Sequence, residues 1–336
     1  MNSIFFKIKV FIVMITSVLS LNLVYAQGNI EGQNNAKDVS GLQKIKLGEL
    51  DIFILSDGFL RYNGIEGYSP RADLQQLKKI LKENFRPTDY MDMAMNIPLV
   101  KTKERLILID AGMGIFADKN SGALLNSLQK AGFKPEQITD IFISHAHIDH
   151  IGGLIDKNDS IVFPNARYHI AQKEFDFWMN ATEGDFRNSY MFKNTKAIQF
   201  DIDAAKRIFN VIRHKVTYFD FEKPLYGNFK FQLVPGHTPG MTFITIYSDN
   251  KELTYIADQA HSDVLLFPHP EWGFFADVDL EVAIASRKKM NGQLAQSHVN
   301  ILGYHLPYPG LGNIRRENRK YQWKPIGIFT PKEIKF

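Results

Sequence analysis

The sequence predicts an α+β fold: one domain with two β-sheets inside and helices on the outside. Strand-like and helix-like segments alternate through both halves of the chain, and no linker-like stretch separates the halves. The chain has 336 residues, of which 45% are hydrophobic, enough for an ordinary packed core. The two halves are therefore expected to fold together.

The first half supplies strands and two helices. Residues 71–83 place Leu74, Leu77, Ile80 and Leu81 on one helical stripe, and residues 122–132 form a second helix that Gly132 ends. The predicted strands are 50–57 (LDIFILSD), 96–102 (NIPLVKT), 105–112 (RLILIDAG) and 137–145 (QITDIFISH). The second and third of these are separated by Lys-Glu, which predicts a hairpin.

The second half begins with short strands and an aromatic-rich, mostly helical segment at 173–210. His169, in an alternating run, is expected to be a strand residue whose ring is satisfied. The predicted strands are 160–164, 166–171, 215–220, 229–235, 241–248, 252–258 and 297–305, the last in the chain. Residues 279–294 form one amphipathic helix.

The N-terminal segment is typical of an export signal. Lys7 and Lys9 precede an apolar stretch, Val10 to Val24, and small residues flank Tyr25 ahead of Gln27. The stretch is shorter than the ~20 residues of a membrane span, although an uncleaved anchor remains the alternative. We expect a signal peptide at 1–26, a flexible lead-in at 27–40, a single domain at 41–336, and a periplasmic or secreted protein.

Charge and cysteine content exclude several classes of partner. The net charge of +4 falls to +2 without Lys7 and Lys9, and no basic block resembles a nucleic-acid footprint. The chain has no cysteine, which excludes disulfides and a lipoprotein signal. We expect a small-molecule substrate, no nucleic acid and no membrane attachment after signal removal; a homodimer is left open.

Residues 143–153 (ISHAHIDHIGG) place His145, His147, Asp149 and His150 within six positions. Four side chains this close can scarcely surround one ion in good geometry. Two ions that share the loop, with two ligands each, are the economical solution. Since zinc takes about four ligands, each ion needs more from elsewhere in the chain.

Three further candidates stand at predicted strand ends, beside turn residues. His237 lies in VPGHTPG, Asp258 ends LTYIAD, and His305 ends VNILGYH. Functional groups concentrate in loops that follow buried strands. A carboxylate such as Asp258 among several histidines is suited to bridge two ions.

The run from His145 to His150, followed by Gly-Gly, resembles the signature of the metallo-β-lactamase superfamily. The segments at 236–240, Asp258 and 303–305 match its later motifs in the same order, and Asp110 in LILIDAG resembles its shared acid. This resemblance covers roughly residues 50–306. It implies a four-layer αββα sandwich with a dinuclear metal site at one edge. Ala257 departs from the glycine common before the bridging acid.

The resemblance also implies a role for each residue. His145, His147 and His237 would hold one metal, Asp149, His150 and His305 the other, and Asp258 would bridge them. Asp149 and Asp258 would hold the bridging hydroxide. Asp110 would support a ligand imidazole. Two divalent cations are implied, with zinc the expected ion, although such N/O ligands also admit Mn, Fe or Co.

Within the superfamily, the chain resembles methyl parathion hydrolases and their periplasmic relatives. The signal peptide, SDGF near Asp57 and HLPYPG at 305–310 are shared features. His261 stands where quorum-quenching lactonases carry tyrosine, and is expected beside the metals or in the pocket wall. The aromatic residues expected to line an apolar pocket for aryl groups are Phe116, Trp178, Phe267 and Phe274.

The predicted function is a secreted, dinuclear metal-dependent hydrolase of aryl esters, organophosphate triesters or lactones, acting through a metal-bridging hydroxide. A β-lactamase and an acyl-homoserine-type lactonase are the enzymatic alternatives. Lactamases with a cysteine ligand are excluded, because the chain has no cysteine. A metal-stabilised binding protein without turnover is the alternative from another class.

Overall fold

The computed structural model describes residues 40–328 and 333–336, so the expected signal peptide and residues 27–39 of the lead-in lie outside the described residues. The strands are β1 (Gly41–Leu47), β2 (Leu50–Asn63), β3 (Tyr90–Lys101), β4 (Leu106–Ile109), β5 (Asp140–Phe142), β6 (Arg167–Ile170), β7 (Val216–Tyr218), β8 (Phe229–Leu233), β9 (Thr242–Ser248), β10 (Lys251–Tyr255), β11 (Asn300–Leu302), β12 (Leu311–Glu317), β13 (Lys320–Pro325) and β14 (Glu333–Lys335). The helices are α1 (Leu74–Glu83), α2 (Leu124–Lys130), α3 (Ile148–Ile151), α4 (Gln172–Asn180), α5 (Thr195–Ile212) and α6 (Leu280–Ser297).

The strands form two sheets. One has the order β14-β1-β2-β3-β4-β5-β6-β7 and the other β13-β12-β11-β10-β9-β8. Helix α2 packs on β1 and β2 of the larger sheet, and α6 packs on β12 and β13 of the smaller one. The predicted α+β sandwich, with sheets inside and helices outside, is therefore confirmed.

Some predicted elements were wrong at the edges of the sheets. Residues 160–164 form no strand, only one isolated bridge between Ile155 and Ile161. The chain continues after 305 with β12, β13 and β14, and β1 precedes the first predicted strand. β1 and β13 alternate apolar residues with Lys and Gln, because one face or edge meets solvent. Neither shows the unbroken apolar run that marks a central strand.

Helices α1, α5 and α6 begin at side-chain caps. The Asp73 carboxylate accepts the amide of Gln76 at the start of α1 (2.9 Å), and Asp279 accepts that of Val282 at the start of α6 (3.1 Å). Within the described ranges, no helix has the length and apolar character needed to cross a membrane.

Parallel pairing brings several strand ends to one edge. β4 pairs parallel with β5 in the larger sheet, and β10 pairs parallel with β11 in the smaller one. Asp110 follows β4, the histidine run follows β5, Asp258 follows β10 and His305 follows β11. Because parallel strands end on the same side, these side chains meet where the two sheets adjoin.

Asp57 anchors the loop that follows β4, next to the strand ends just described. It sits at a bulge in the β2–β3 pairing and is fully buried. Its carboxylate accepts the amides of Met113 (2.8 Å) and Leu124 (2.7 Å). Burial raises the pKa of Asp57 to about 6, against these hydrogen bonds, which lower it. The SDGF motif thus connects the β2–β3 pair to the loop after β4 and to α2.

Candidate metal centre

Seven side chains converge at the edge where the strand ends meet. His145, His147, His237 and Asp258 form one group, in which one possible ligand atom per residue lies within 4.8 Å of the others. Asp149, His150 and His305 form a second such group. These are the residues that the sequence nominated as metal ligands. A third, overlapping group joins Asp258 and His305 to His261.

In the first group, three imidazoles turn ring nitrogens towards one another. His147 Nδ1 lies 2.9 Å from His237 Nε2 and 3.2 Å from His145 Nε2. Asp258 Oδ2 lies 3.1 Å from His237 Nε2. Three nitrogens and one carboxylate oxygen therefore surround a common point.

The second group shares the same carboxylate. His305 Nε2 lies 3.2 Å from Asp149 Oδ2 and 3.2 Å from Asp258 Oδ2. His150 Nε2 lies 3.1 Å from Asp258 Oδ1. The two oxygens of Asp258 thus reach both groups, which is the arrangement expected of a residue that bridges two cations.

The chemistry of these atoms fits divalent cations. His150 Nε2 and Asp258 Oδ1 are fully buried and, although they lie 3.1 Å apart, neither forms a hydrogen bond. Such atoms are rare in proteins, because each loses its bonds to water without replacement. A ring nitrogen facing another ring nitrogen gains little unless one is protonated, whereas a cation satisfies all the lone pairs at once. Nitrogen and oxygen donors in sets of three or four suit zinc.

The electrostatics of the first group favour ligation. Burial lowers the pKa of His145 and of His147 well below the ordinary value, so both imidazoles are neutral, the form that binds a cation. Burial raises the pKa of Asp258, but the neighbouring histidines, His305 first among them, lower it by more. Two neutral imidazoles therefore face an ionised carboxylate. Burial lowers the pKa of the third, His237, but its hydrogen bonds to Asp258 and Asp277 raise it by more.

Asp110 supports the second group, as the sequence suggested. Its Oδ2 lies 2.8 Å from His150 Nδ1 and accepts the hydroxyls of Tyr255 (2.6 Å) and Ser144 (2.6 Å). Its Oδ1 accepts the Ser144 amide at 2.7 Å. A carboxylate that accepts from Nδ1–H leaves the lone pair of His150 on Nε2, which faces Asp258.

Sequence reasoning missed the residues that support His237. Asp277 Oδ1 lies 3.0 Å from His237 Nδ1, and the buried Arg287 forms a two-point ion pair with the same carboxylate. Neither residue stands in a motif. His305 is held differently, because its Nδ1 lies 2.9 Å from the backbone oxygen of Ala94.

Glu174 is a second residue that sequence reasoning missed. It is fully buried on α4 and ties two ligand loops together. Its Oε1 accepts the Ala146 amide (2.9 Å), and its Oε2 accepts the Thr238 hydroxyl (2.8 Å) and the Gly240 amide (2.7 Å). Burial raises its pKa despite these bonds. Glu174 thus fixes the loop of His145 and His147 relative to the loop of His237.

The two glycines after the histidine run allow a close approach of backbone. A Cβ atom on Gly153 would lie 2.0 Å from the oxygen of Ala111, and one on Gly152 would lie 2.2 Å from the oxygen of Met113. No side chain fits there without moving the backbone. The loop after β4 therefore packs directly against the end of α3, which carries Asp149 and His150.

His261 lies against the bridging acid. Its Nε2 is 3.0 Å from Asp258 Oδ2, and its Nδ1 is buried without a hydrogen-bond partner. The ring stacks on Phe274 with centroids 3.4 Å apart, which places Phe274 beside the centre as the sequence suggested. Ala257, where glycine was the expected type, has a φ of +43° and is fully buried.

The other three aromatic residues predicted to line the pocket lie in different surroundings. Trp178 is fully buried, its ring lies 5.6 Å from that of His147, and its Nε1 donates to Glu174 (2.8 Å). Its expected place in the pocket wall is therefore wrong, since its ring packs in the interior beside His147 and Glu174. Phe116 is partly buried and meets Phe200 edge-on at 5.7 Å. Phe267 needs a correction: it is fully buried and stacks on Trp323 of β13, so the contacts of its ring place it in the core of the smaller sheet.

Comparison with known proteins agrees with this geometry. Residues 95–290 match the model of the metallo-beta-lactamase superfamily. The solved structure of AidC, described as a dizinc quorum-quenching lactonase in complex with a product, is 51% identical; the match covers 88% of this chain and 100% of that one, with a TM-score of 0.86. The hydrolase AbOPH is 26% identical over 88% of this chain and 100% of its own, with a TM-score of 0.78.

Among characterised proteins, an N-acyl homoserine lactonase of Bacillus cereus is 24% identical over 220 residues, 58% of this chain and 76% of the lactonase. The chain belongs to the metallo-beta-lactamase superfamily. It is a metal-dependent hydrolase with a dinuclear centre that acts on a small-molecule substrate.

Proposed function

We propose that this hydrolase opens the ring of N-acyl homoserine lactones with two zinc ions. The observation that supports it best is the 51% identity, over 100% of its length, to a dizinc lactonase described in complex with a product of that class. Lactone hydrolysis was an alternative at the level of sequence, where methyl parathion hydrolases were favoured. The relatives reported above are lactonases, together with the hydrolase AbOPH, and they do not support the parathion branch.

The ligand assignment is part of the proposal. His145, His147 and His237 would hold one ion, Asp149, His150 and His305 would hold the other, and Asp258 would contribute to both. When bound, two divalent cations lower the pKa of a water molecule to near neutrality and polarise a carbonyl oxygen. This is the chemistry that ester and lactone hydrolysis needs at neutral pH.

The side chains around the ligands orient the reactants. The carboxylates of Asp149 and Asp258 lie on the same side of His305 and are placed to hold the attacking water. The water oxygen adds to the lactone carbonyl carbon, the ring C–O bond breaks, and the ring oxygen takes up a proton to become a hydroxyl. His261, fixed by its stack on Phe274, forms the wall beside Asp258.

Hydrolysis of aryl esters and organophosphate triesters is the second candidate. His261 and Phe274 place stacked aromatic rings beside Asp258 and the ligand imidazoles, and such rings favour aryl groups. An aryl-oxide leaving group also needs little help from an acid. We further propose export to the periplasm or the medium, from the N-terminal signal pattern.

A substrate panel tests the proposal. Zinc-loaded protein is assayed with N-hexanoyl-L-homoserine lactone, p-nitrophenyl butyrate, paraoxon and nitrocefin, with Asp258→Ala as the control for contaminating activity. We expect kcat/KM of about 10⁴ M⁻¹ s⁻¹ or more for the lactone and at least ~100-fold less for the others. A panel led by paraoxon or nitrocefin would overturn the lactonase proposal and leave the hydrolase class intact.

A further inference from the structure

Arg287 is a buried cation close to the centre that no part of the proposed reaction uses. It lies on α6 and is 2% exposed. Its Nη1 and Nη2 donate to the two oxygens of Asp277 at 2.6 and 2.7 Å. A buried arginine is costly unless its charge and its donors are matched. The two-point pair with Asp277 supplies that match.

Two arms lead from this ion pair to the ligands. Through Asp277, it reaches Nδ1 of His237 at 3.0 Å. Through its Nε, Arg287 donates to the backbone oxygen of Gln259 at 2.9 Å, one residue after Asp258. The side-chain amide of Gln259 donates a hydrogen bond to the backbone oxygen of Arg287 at 3.2 Å. Helix α6 is thereby joined to the loop of the bridging acid and to one ligand imidazole.

The charge on Asp277 determines what this contact does to His237. The two-point ion pair with Arg287, at 2.6 and 2.7 Å, stabilises the ionised form of this carboxylate. An ionised carboxylate accepts a hydrogen bond from Nδ1–H of His237. This fixes the tautomer with its lone pair on Nε2, the nitrogen that faces His147 and Asp258.

The second group of ligands has other partners. His150 is held by Asp110, and His305 by the backbone oxygen of Ala94. Neither makes a hydrogen bond or ion pair with Arg287 or Asp277 within the part of the chain that the structure describes. Apart from the shared Asp258, the two groups of imidazoles therefore have separate support: Arg287 of α6 acts on His237 through Asp277, whereas Asp110 and Ala94 hold His150 and His305.

We propose that Asp277 and Arg287 are positioning residues that set the cation affinity of the group formed by His145, His147 and His237. The proposal rests on the ligand assignment made above. It assigns the support of His237 to Asp277 and Arg287, whereas the imidazoles of the other group have supports of their own. Removal of Asp277 or Arg287 then weakens the binding of one of the two ions selectively.

Zinc affinity measured by competition with a chromogenic chelator tests this directly. We expect Asp277→Asn to bind one zinc ion ~10–100-fold more weakly and the other as the wild type does. Arg287→Lys should retain more of the affinity than Arg287→Met, because lysine keeps the charge but not the two-point geometry. Lys288→Met, at the exposed next position of α6, is the matched control and should bind both ions normally.

A thermodynamic cycle with His237→Ala locates the effect. If Asp277 acts through His237, Asp277→Asn should change no zinc affinity further in the His237→Ala background. Unchanged affinities in folded Asp277→Asn, or equal weakening of both ions, would overturn the proposal. If Arg287→Met does not fold, Asp277→Asn alone decides. A wild-type chain that binds fewer than two ions would instead refute the ligand assignment, and this inference with it.

Discussion

Two buried histidine–carboxylate clusters lie near opposite ends of β5. Asp140 begins the strand and meets His169, whereas His145 to His150 follow its last residue. The residue types are similar, but the pairing of their polar atoms differs. That difference indicates which cluster is built for a cation.

The Asp140 cluster is complete in itself. Asp140 Oδ1 accepts from the Tyr226 hydroxyl (2.7 Å) and lies 2.9 Å from His169 Nε2, while Oδ2 accepts from Arg105 at 3.0 Å. The other ring nitrogen of His169 lies 2.9 Å from the Thr217 hydroxyl. The expectation that the ring of His169 is satisfied in a strand is confirmed.

The cluster after β5 is incomplete without a cation. His147 and His237 bring ring nitrogens within 2.9 Å of each other, and His150 Nε2 and Asp258 Oδ1 remain buried without hydrogen bonds. Donors meet acceptors at Asp140, whereas ring nitrogens of His145, His147 and His237 face one another beside Asp258. Proximity of histidine to carboxylate is therefore not enough to identify a metal site; the unmatched lone pairs are what identify it.

The largest expected effect comes from breaking the incomplete cluster. Asp258→Asn removes the carboxylate that both groups share, and we expect hydrolysis to fall by ~10³-fold, because cations contribute several kcal/mol to such reactions. Zinc content should fall below two ions per chain, measured by mass spectrometry after desalting. Full zinc content in this variant would show that Asp258 does not bridge.

Breaking the complete cluster should affect stability instead. Asp140→Asn loses charge-assisted hydrogen bonds in the interior, and we expect the free energy of unfolding in urea to drop by about 2–3 kcal/mol. Zinc content and turnover of the folded protein should not change. Loss of zinc would mean that the two ends of β5 are coupled, and the contrast between the clusters would fail.

The pH dependence of stability sharpens the same contrast. Burial raises the pKa of Asp140, but its hydrogen bonds, His169 first, lower it by more, so the net shift is below the ordinary value of 3.8. A carboxylate with a lowered folded pKa stabilises the fold above its unfolded pKa and loses that contribution as pH falls further. As the pH falls below about 4, the free energy of unfolding in urea should decrease more steeply for the metal-free wild type than for metal-free Asp140→Asn. Parallel curves would contradict the assignment.

A smaller effect is expected at the support of the second group. Asp110→Asn replaces one carboxylate oxygen by an NH2 group, whereas His150, Tyr255 and Ser144 all need an acceptor there. We expect ~10–100-fold weaker binding of one zinc ion. Asp277→Asn should weaken the other ion. If both variants weakened the same ion in chelator competition, the two supports would not be separate.

The smallest effect is expected at Ala257. Glycine removes a buried methyl group but relieves a φ of +43°, and these contributions oppose each other. We expect Ala257→Gly to change the free energy of unfolding by less than about 1 kcal/mol, with zinc affinity unchanged. A loss of zinc would show that the methyl group holds Asp258 in place.

Much of the centre could be predicted from sequence, because its signals are local. His145 to His150 form one short run, and His237, Asp258 and His305 each follow a recognisable strand. The supports at Glu174, Asp277 and Arg287 could not, since tertiary packing creates their contacts. Glu174 meets Gly240 across 66 positions, and Asp277 meets His237 across 40. Strands β1 and β13 were missed because one face or edge of each meets solvent, so that their apolar residues alternate with Lys and Gln.

The number of zinc ions per chain tests the central claim most directly. Wild type and Asp140→Asn, saturated with zinc and desalted, should each retain two ions per chain by mass spectrometry, and His237→Ala should retain one. A saturated wild type that retains one ion or none, or an Asp140→Asn protein that loses an ion while folded, would contradict the account.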